Sequence, residues 1–147
     1  MQDLGLETAI EEALIGLATG GIPIGSAIVV DSEIIGRGHN QRVQKGSAIL
    51  HGEMDALENA GRLQATTYQH STIYTTLSPC DMCSGAILLY GIPRVVIGEN
   101  TTFMGAEDHL RSRGVAVRVM NDQRCIDLMT NFISSRPNTW DEDIGET

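Results

Sequence analysis

The middle of this 147-residue chain restricts the fold most. Thr72 to Leu77 is rich in β-branched residues and reads as a buried strand. A helix is predicted from Asp81 to Tyr90, followed by a Gly-Ile-Pro turn at 91–93 and a strand from Arg94 to Gly98. A strand–helix–strand unit of this kind makes its two strands parallel, with a right-handed crossover. The rest of the chain continues the alternation. Leu6, Ala9, Ile10, Ala13, Leu14 and Leu17 recur at the spacing of one buried helical face, ended by Gly20-Gly21 and Pro23. Ile24 to Val30 and Ile34 to Gly36 read as strands around a tight turn at Asp31-Ser32, and Arg37 to Gly46 as a polar loop. A second helix is expected over about Ala48 to Gly61, with Leu50, Met54 and Leu57 facing the core. Glu107 to Arg113 reads as a short helix and Val115 to Met120 as a last strand. Asp122 then caps a helix that carries Cys125, Ile126, Met129, Phe132 and Ile133 on one side. The pattern predicts an α/β class chain: a single three-layer α/β/α domain over residues 1–147.

Charge and hydropathy narrow the function. Ten Lys and Arg against nineteen Asp and Glu leave a net charge of −9, and no run of basic residues exceeds one. Binding to a nucleic-acid backbone draws on clustered Lys and Arg, so a small neutral substrate fits better. Apolar runs such as Ala86 to Tyr90 fall far below the ~20 residues of a membrane helix. The acidic opening Met-Gln-Asp-Leu-Gly-Leu-Glu does not read as a secretory leader, and the expectation is a cytoplasmic protein.

The chemistry concentrates in His51-Gly52-Glu53 and Pro79-Cys80-Asp81-Met82-Cys83. Zinc takes imidazole nitrogen and thiolate sulfur in a tetrahedron, and a catalytic site holds it with three protein ligands and one water. His51, Cys80 and Cys83 supply such a set, each near a helix start whose partial positive charge favours thiolate. Glu53, two residues beyond the histidine and in the same turn, can reach the water without replacing it. This order of residues is the general signature of zinc deaminases, with the glutamate as acid and base. The competing reading is a closed structural site needing a fourth ligand, for which Cys125 and His39 are the candidates. Cys125 falls on an apolar helix face and reads as a core thiol, and His39, His70 and His109 read as loop or surface residues.

Further segments extend the pattern: Gly20 to Gly25, Gly36 to Asn40, Gln44 to Glu53, Leu57-Glu58-Asn59, Tyr74 to Cys83, Tyr90 to Arg94, Gly98-Glu99-Asn100 and Glu142 to Glu146. Together they resemble the yeast-type cytosine deaminases from about Ala9 to the C-terminus. That resemblance implies a cytidine-deaminase-like fold with a five-stranded mixed sheet, one zinc per subunit and a homodimer. It implies hydrolysis of free cytosine to uracil and ammonia in pyrimidine salvage, and activity on 5-fluorocytosine. By the same resemblance Asn40 and the Gly52 N–H meet the pyrimidine edge, the Ser78 carbonyl and Asp143 lie near the exocyclic amine, and Phe103, Trp140 and Ile24 wall the pocket. The chain departs from the family pattern at Asp141, where a second aromatic is usual, at Ser26, where a glycine is usual, and in a shorter stretch from Phe103 to Gly114. A deaminase of guanine or another amino-heterocycle, and one that edits nucleic acid, are the alternatives.

Overall fold

A computed structural model describes residues 3–146. Helix α1 (Leu4–Ala18) starts at Asp3, whose side chain caps the Gly5 N–H at 3.1 Å. Strands β1 (Gly25–Val30) and β2 (Glu33–His39) form an antiparallel hairpin. Its turn residues, Asp31 and Ser32, both have positive φ (49° and 66°), the geometry that matches strand twist in a two-residue hairpin. Short helix α2 (Arg42–Lys45) and helix α3 (Gly52–Ala60) follow, then α4 (Ala65–Gln69). Strand β3 (Thr72–Leu77), helix α5 (Asp81–Leu89) and strand β4 (Arg94–Glu99) form the expected crossover unit, with β3 and β4 parallel. Helix α6 (Glu107–Ser112), strand β5 (Ala116–Val119), helix α7 (Gln123–Ser135) and helix α8 (Pro137–Asp143) complete the chain.

The sheet runs β2-β1-β3-β4-β5, parallel from β3 to β5 and antiparallel through β1 and β2. One face packs Ile28, Ile73, Val95 and Ile97 against Ala56, Leu57, Ile87 and Leu110 from α3, α5 and α6. The other face lies under α1, α7 and α8, where Leu6, Ile10 and Cys125 form one cluster and Ile22, Leu77, Met129, Phe132 and Trp140 another. Helices on both faces of one mixed five-stranded sheet make the α/β fold that the alternation predicts.

Several expectations change. Leu14 and Leu17 are half exposed, at 50% and 43%, and the buried stripe of α1 instead includes Glu12 and Gly16. The cause is close packing: a Cβ on Gly25 would stand 1.9 Å from the Ala9 carbonyl oxygen. The helix turns its small residues onto β1 and swings the leucines outward. Strand β2 continues to His39 rather than stopping at Gly36, and the expected loop before Gly46 holds α2. The second long helix begins at Gly52 rather than Ala48, with His51 as its N-cap and Leu50 outside it. Helices α4 and α8 were not anticipated, since α4 is a single five-residue turn and α8 lies in an acidic segment. His39 is a β2 residue whose Nδ1 lies 2.8 Å from Oε1 of the buried Glu12, not a loop histidine. No helix among the described residues is long and apolar enough to cross a membrane.

Candidate active site

Two helix N-termini meet at one point. His51 is the N-cap of α3 and Cys80 the N-cap of α5, both in extended backbone conformation, and neither side chain caps its own helix. Capping positions normally hold Ser, Thr, Asp or Asn because their oxygens satisfy free N–H groups. Here the side chains point at each other instead. His51 Nδ1 lies 3.3 Å from Cys80 Sγ and 3.7 Å from Cys83 Sγ, and the three atoms sit within 4.8 Å of one another. A tetrahedral zinc with ordinary N and S bond lengths holds such atoms about 3.5 Å apart. The two His51–sulfur distances match that spacing, and the triplet can hold a tetrahedral metal ion.

Cys80 carries the thiolate of the pair. Hydrogen bonds from the Cys83 thiol and from His51 outweigh burial and bring it down to about 4, while Cys83, bonded to Cys80 and fully buried, is pushed well up. Burial alone would lower His51, but its bonds to Asp143 and Cys80 raise it to about 10. Glu53, on the first turn of α3, is 4% exposed. Burial first, and the Cys80 charge second, raise its carboxyl to about 7. A carboxyl poised there can both take and give a proton near neutral pH.

The other ring nitrogen of His51 is also held. Nε2 lies 3.3 Å from the Asp143 carbonyl oxygen and 3.4 Å from Asp143 Oδ2. A partner there fixes the ring so that Nδ1 faces the metal position. Asp143, nearly enclosed at the end of α8, also accepts from Asn40 Nδ2 at 3.2 Å and from Arg42 Nη1 at 3.1 Å. Burial would raise its carboxyl, but these donors, His51 foremost, hold it below the usual range. Asn40 is fully buried, and the Arg42 N–H donates to its Oδ1 at 3.0 Å, so the orientation of its amide is set from both ends.

A cavity of about 290 Å³ opens beside the triplet. Of the residues the sequence points to, Ile24, His51, Glu53, Ser78, Cys80, Phe103, Trp140 and Asp143 line it. Phe103 and Trp140 meet edge to face, with ring centroids 5.8 Å apart. Asn40, Gly52 and Cys83 stand behind the wall: Asn40 against Asp143, and Gly52 against Ile24, whose carbonyl oxygen a Cβ on the glycine would approach to 3.0 Å. Leu77 and Ile144 also line the cavity and were missed, as was Arg42. Arg42 forms a two-pronged ion pair with Glu142 (2.7 and 2.9 Å) that pins α8. Of the two rival fourth ligands, Cys125 lies in the α1–α7 core and His39 is committed to Glu12, so neither joins the triplet.

An open-sided metal triplet next to a buried carboxyl, on a three-layer α/β/α frame, defines a metal-dependent hydrolytic enzyme class. Residues 2–99 match the cytidine and deoxycytidylate deaminase zinc-binding region, and the chain belongs to that family of zinc-dependent deaminases. It is 60% identical over 143 residues to a cytosine deaminase of Candida albicans, covering 97% of this chain and 95% of the relative. A tRNA-specific adenosine deaminase of Streptococcus pyogenes is 39% identical over 120 residues, covering 81% and 72% respectively. The guanine deaminase of Nitrosomonas europaea shares the fold, with a TM-score of 0.70 at 21% identity over 88% of this chain and 82% of that one.

Proposed function

We propose that the chain is a cytosine deaminase that hydrolyses the free base to uracil and ammonia and also accepts 5-fluorocytosine. The observation that carries this reading is the cavity that joins Glu53 and the His51–Cys80 pair to the aromatic residues Phe103 and Trp140. The 60% identity to the Candida enzyme supports the choice of cytosine over a purine. The −9 charge supports a free base over a nucleic acid.

His51, Cys80 and Cys83 would hold one zinc, which when bound activates water at about neutral pH. The remaining work falls to the chain. The Glu53 carboxylate accepts a proton from the attacking water and delivers it to ring N3, which makes C4 electrophilic. Addition of the water oxygen at C4 gives a tetrahedral carbon. Glu53 then takes the second proton from the new C4 hydroxyl and passes it to the amine, which departs as ammonia while the C4 carbonyl of uracil forms. Ser78, through its carbonyl, and Asp143 receive the exocyclic amine, while Asn40 and the Gly52 N–H, set just behind the wall, would address the ring edge through the hydrogen-bond positions they have left. Ile24, Phe103 and Trp140 exclude bulk water. Residues 1–147 form one such domain, in the cytoplasm and in pyrimidine salvage.

A homodimer is part of the proposal. Leu89 is 74% exposed and Ile49 53%, apolar side chains that a second copy would cover. Light scattering on the purified protein tests it, and a monomer at micromolar concentration refutes it.

The test of the function is ammonia release from a panel of free bases by the zinc-loaded protein and its Glu53→Gln variant. Cytosine is expected to be turned over, and the variant is expected to keep its zinc and lose at least ~10²–10⁴-fold in kcat. Turnover of guanine in place of cytosine, or a variant close to wild type, refutes the reading.

A further inference from the structure

Glu107, at the start of α6, is 2% exposed and outside the cavity wall. A carboxylate is costly to bury without a close cation, and Arg111, four residues on and 47% exposed in its side chain, comes no nearer than 3.7 Å. The partners that do hold Glu107 belong to the site. Its Oε2 accepts from Ser78 Oγ at 2.6 Å, and its Oε1 accepts from Asn100 Nδ2 at 3.2 Å. Ser78 Oγ in turn accepts the Gly105 N–H at 2.9 Å. A serine hydroxyl has one proton. With Gly105 filling an acceptor position, that proton is directed at Glu107.

Ser78 is therefore held on both sides, through its N–H on the Glu99 carbonyl at 3.0 Å and through its hydroxyl on Glu107. Its own carbonyl has no hydrogen-bond donor among the described residues. The loop opposite is drawn in by the same carboxylate. Ala106 N–H donates to the Pro79 carbonyl at 3.0 Å, and a Cβ on Gly105 would stand 1.9 Å from that oxygen. Phe103 rides on this loop. One buried carboxylate thus sets the Ser78 carbonyl and the loop of the aromatic lid together.

We propose that Glu107 is a positioning residue that aims the Ser78 carbonyl at the amine on C4 and so sets the preference for amino over oxo heterocycles. The proposal rests on the cytosine reading. The carbonyl accepts from the amine of cytosine but faces the C4 oxygen of uracil, lone pair to lone pair. Loosening it weakens substrate binding and leaves product binding unchanged or slightly tighter.

The test compares zinc-loaded wild type with Glu107→Ala, Glu107→Gln and Ser78→Ala, measuring the KM for cytosine and the inhibition constant of uracil. Glu107→Ala is expected to raise the cytosine KM about tenfold and move the uracil constant less than threefold, with one zinc per chain retained. Glu107→Gln, which keeps one acceptor for the hydroxyl, is expected to fall between it and wild type. If Glu107→Ala does not fold, Ser78→Ala carries the same comparison, since it removes only the hydroxyl. A purely structural role for Glu107 would lower the melting temperature and leave the ratio of the two constants alone. An unchanged ratio in both Glu107→Gln and Ser78→Ala overturns the proposal. Wild-type inactivity on cytosine would overturn the underlying reading instead.

Discussion

Replacing Asp143 by asparagine tests how the site is held, because the side chain keeps its shape and loses only its charge and one acceptor. Every polar neighbour of the carboxylate is a donor: Asn40 Nδ2 at 3.2 Å, Arg42 Nη1 at 3.1 Å and His51 Nε2 at 3.4 Å. An amide brings two donors of its own into that ring, so at least one N–H must face another. Two consequences follow. His51 loses the partner that orients its ring, and loss of such a partner costs roughly 10–100-fold in metal affinity, or about 1.4–2.7 kcal/mol. At least one charge-assisted hydrogen bond is lost to folding, about 1.5–3 kcal/mol. For a chain of this size that lowers the melting temperature by about 5–10 °C. Zinc affinity is read by competition with a chromogenic chelator at fixed pH, with Glu53→Gln as the control that keeps its metal. A variant whose zinc affinity stays within threefold of wild type refutes the claim that Asp143 orients His51.

The other expectations are simpler. Without metal at pH 7, His51 (raised to about 10) and Cys83 (pushed well up) hold their protons, whereas Cys80 (about 4) does not. Zinc binding should therefore release about two protons and tighten by about two decades per pH unit as pH rises. Calorimetry in buffers of different ionisation enthalpy measures this, and release of fewer than one proton contradicts it. Cys125, whose burial raises its thiol to about 12, is a core residue. Its replacement by alanine should leave one zinc per chain, and metal loss on dialysis would make it a ligand. Alanine at Gly25 would drive a Cβ into the Ala9 carbonyl and to 2.5 Å from the Ala13 nitrogen. It should cost about 2–3 kcal/mol in urea unfolding, and a neutral result would mean that α1 slides freely on β1.

What the sequence made legible and what it hid divide along one physical line. The metal triplet and Glu53 could be read because short-range geometry fixes them. Cys80 and Cys83 share the first turn of one helix, and Glu53 sits two residues beyond the cap that is itself a ligand. Strand order near the β3–α5–β4 crossover was legible for the same reason, since a single helix between two strands leaves one handed solution. The supports of the site were not legible from spacing, because they bridge long separations; only the family resemblance pointed to Asn40 and Asp143, and to the substrate rather than to His51. Asp143 meets His51 across 92 residues and Asn40 across 103, and in the sequence it is one acid among several in a polar tail. Arg42 reaches Glu142 across 100 residues from a segment that reads as loop. Leu14 and Leu17 follow the helical period yet lie half exposed, because the approach of α1 to Gly25 rather than hydrophobicity set the rotation of the helix. Periodicity reports which faces can be buried; backbone contact decides which face is. The same holds for the chemistry. Spacing can name the atoms that grip a metal, but the residues that aim them are recruited by the fold, and their side chains look like ordinary surface charge until Asn40, Arg42 and His51 are seen to surround one carboxylate.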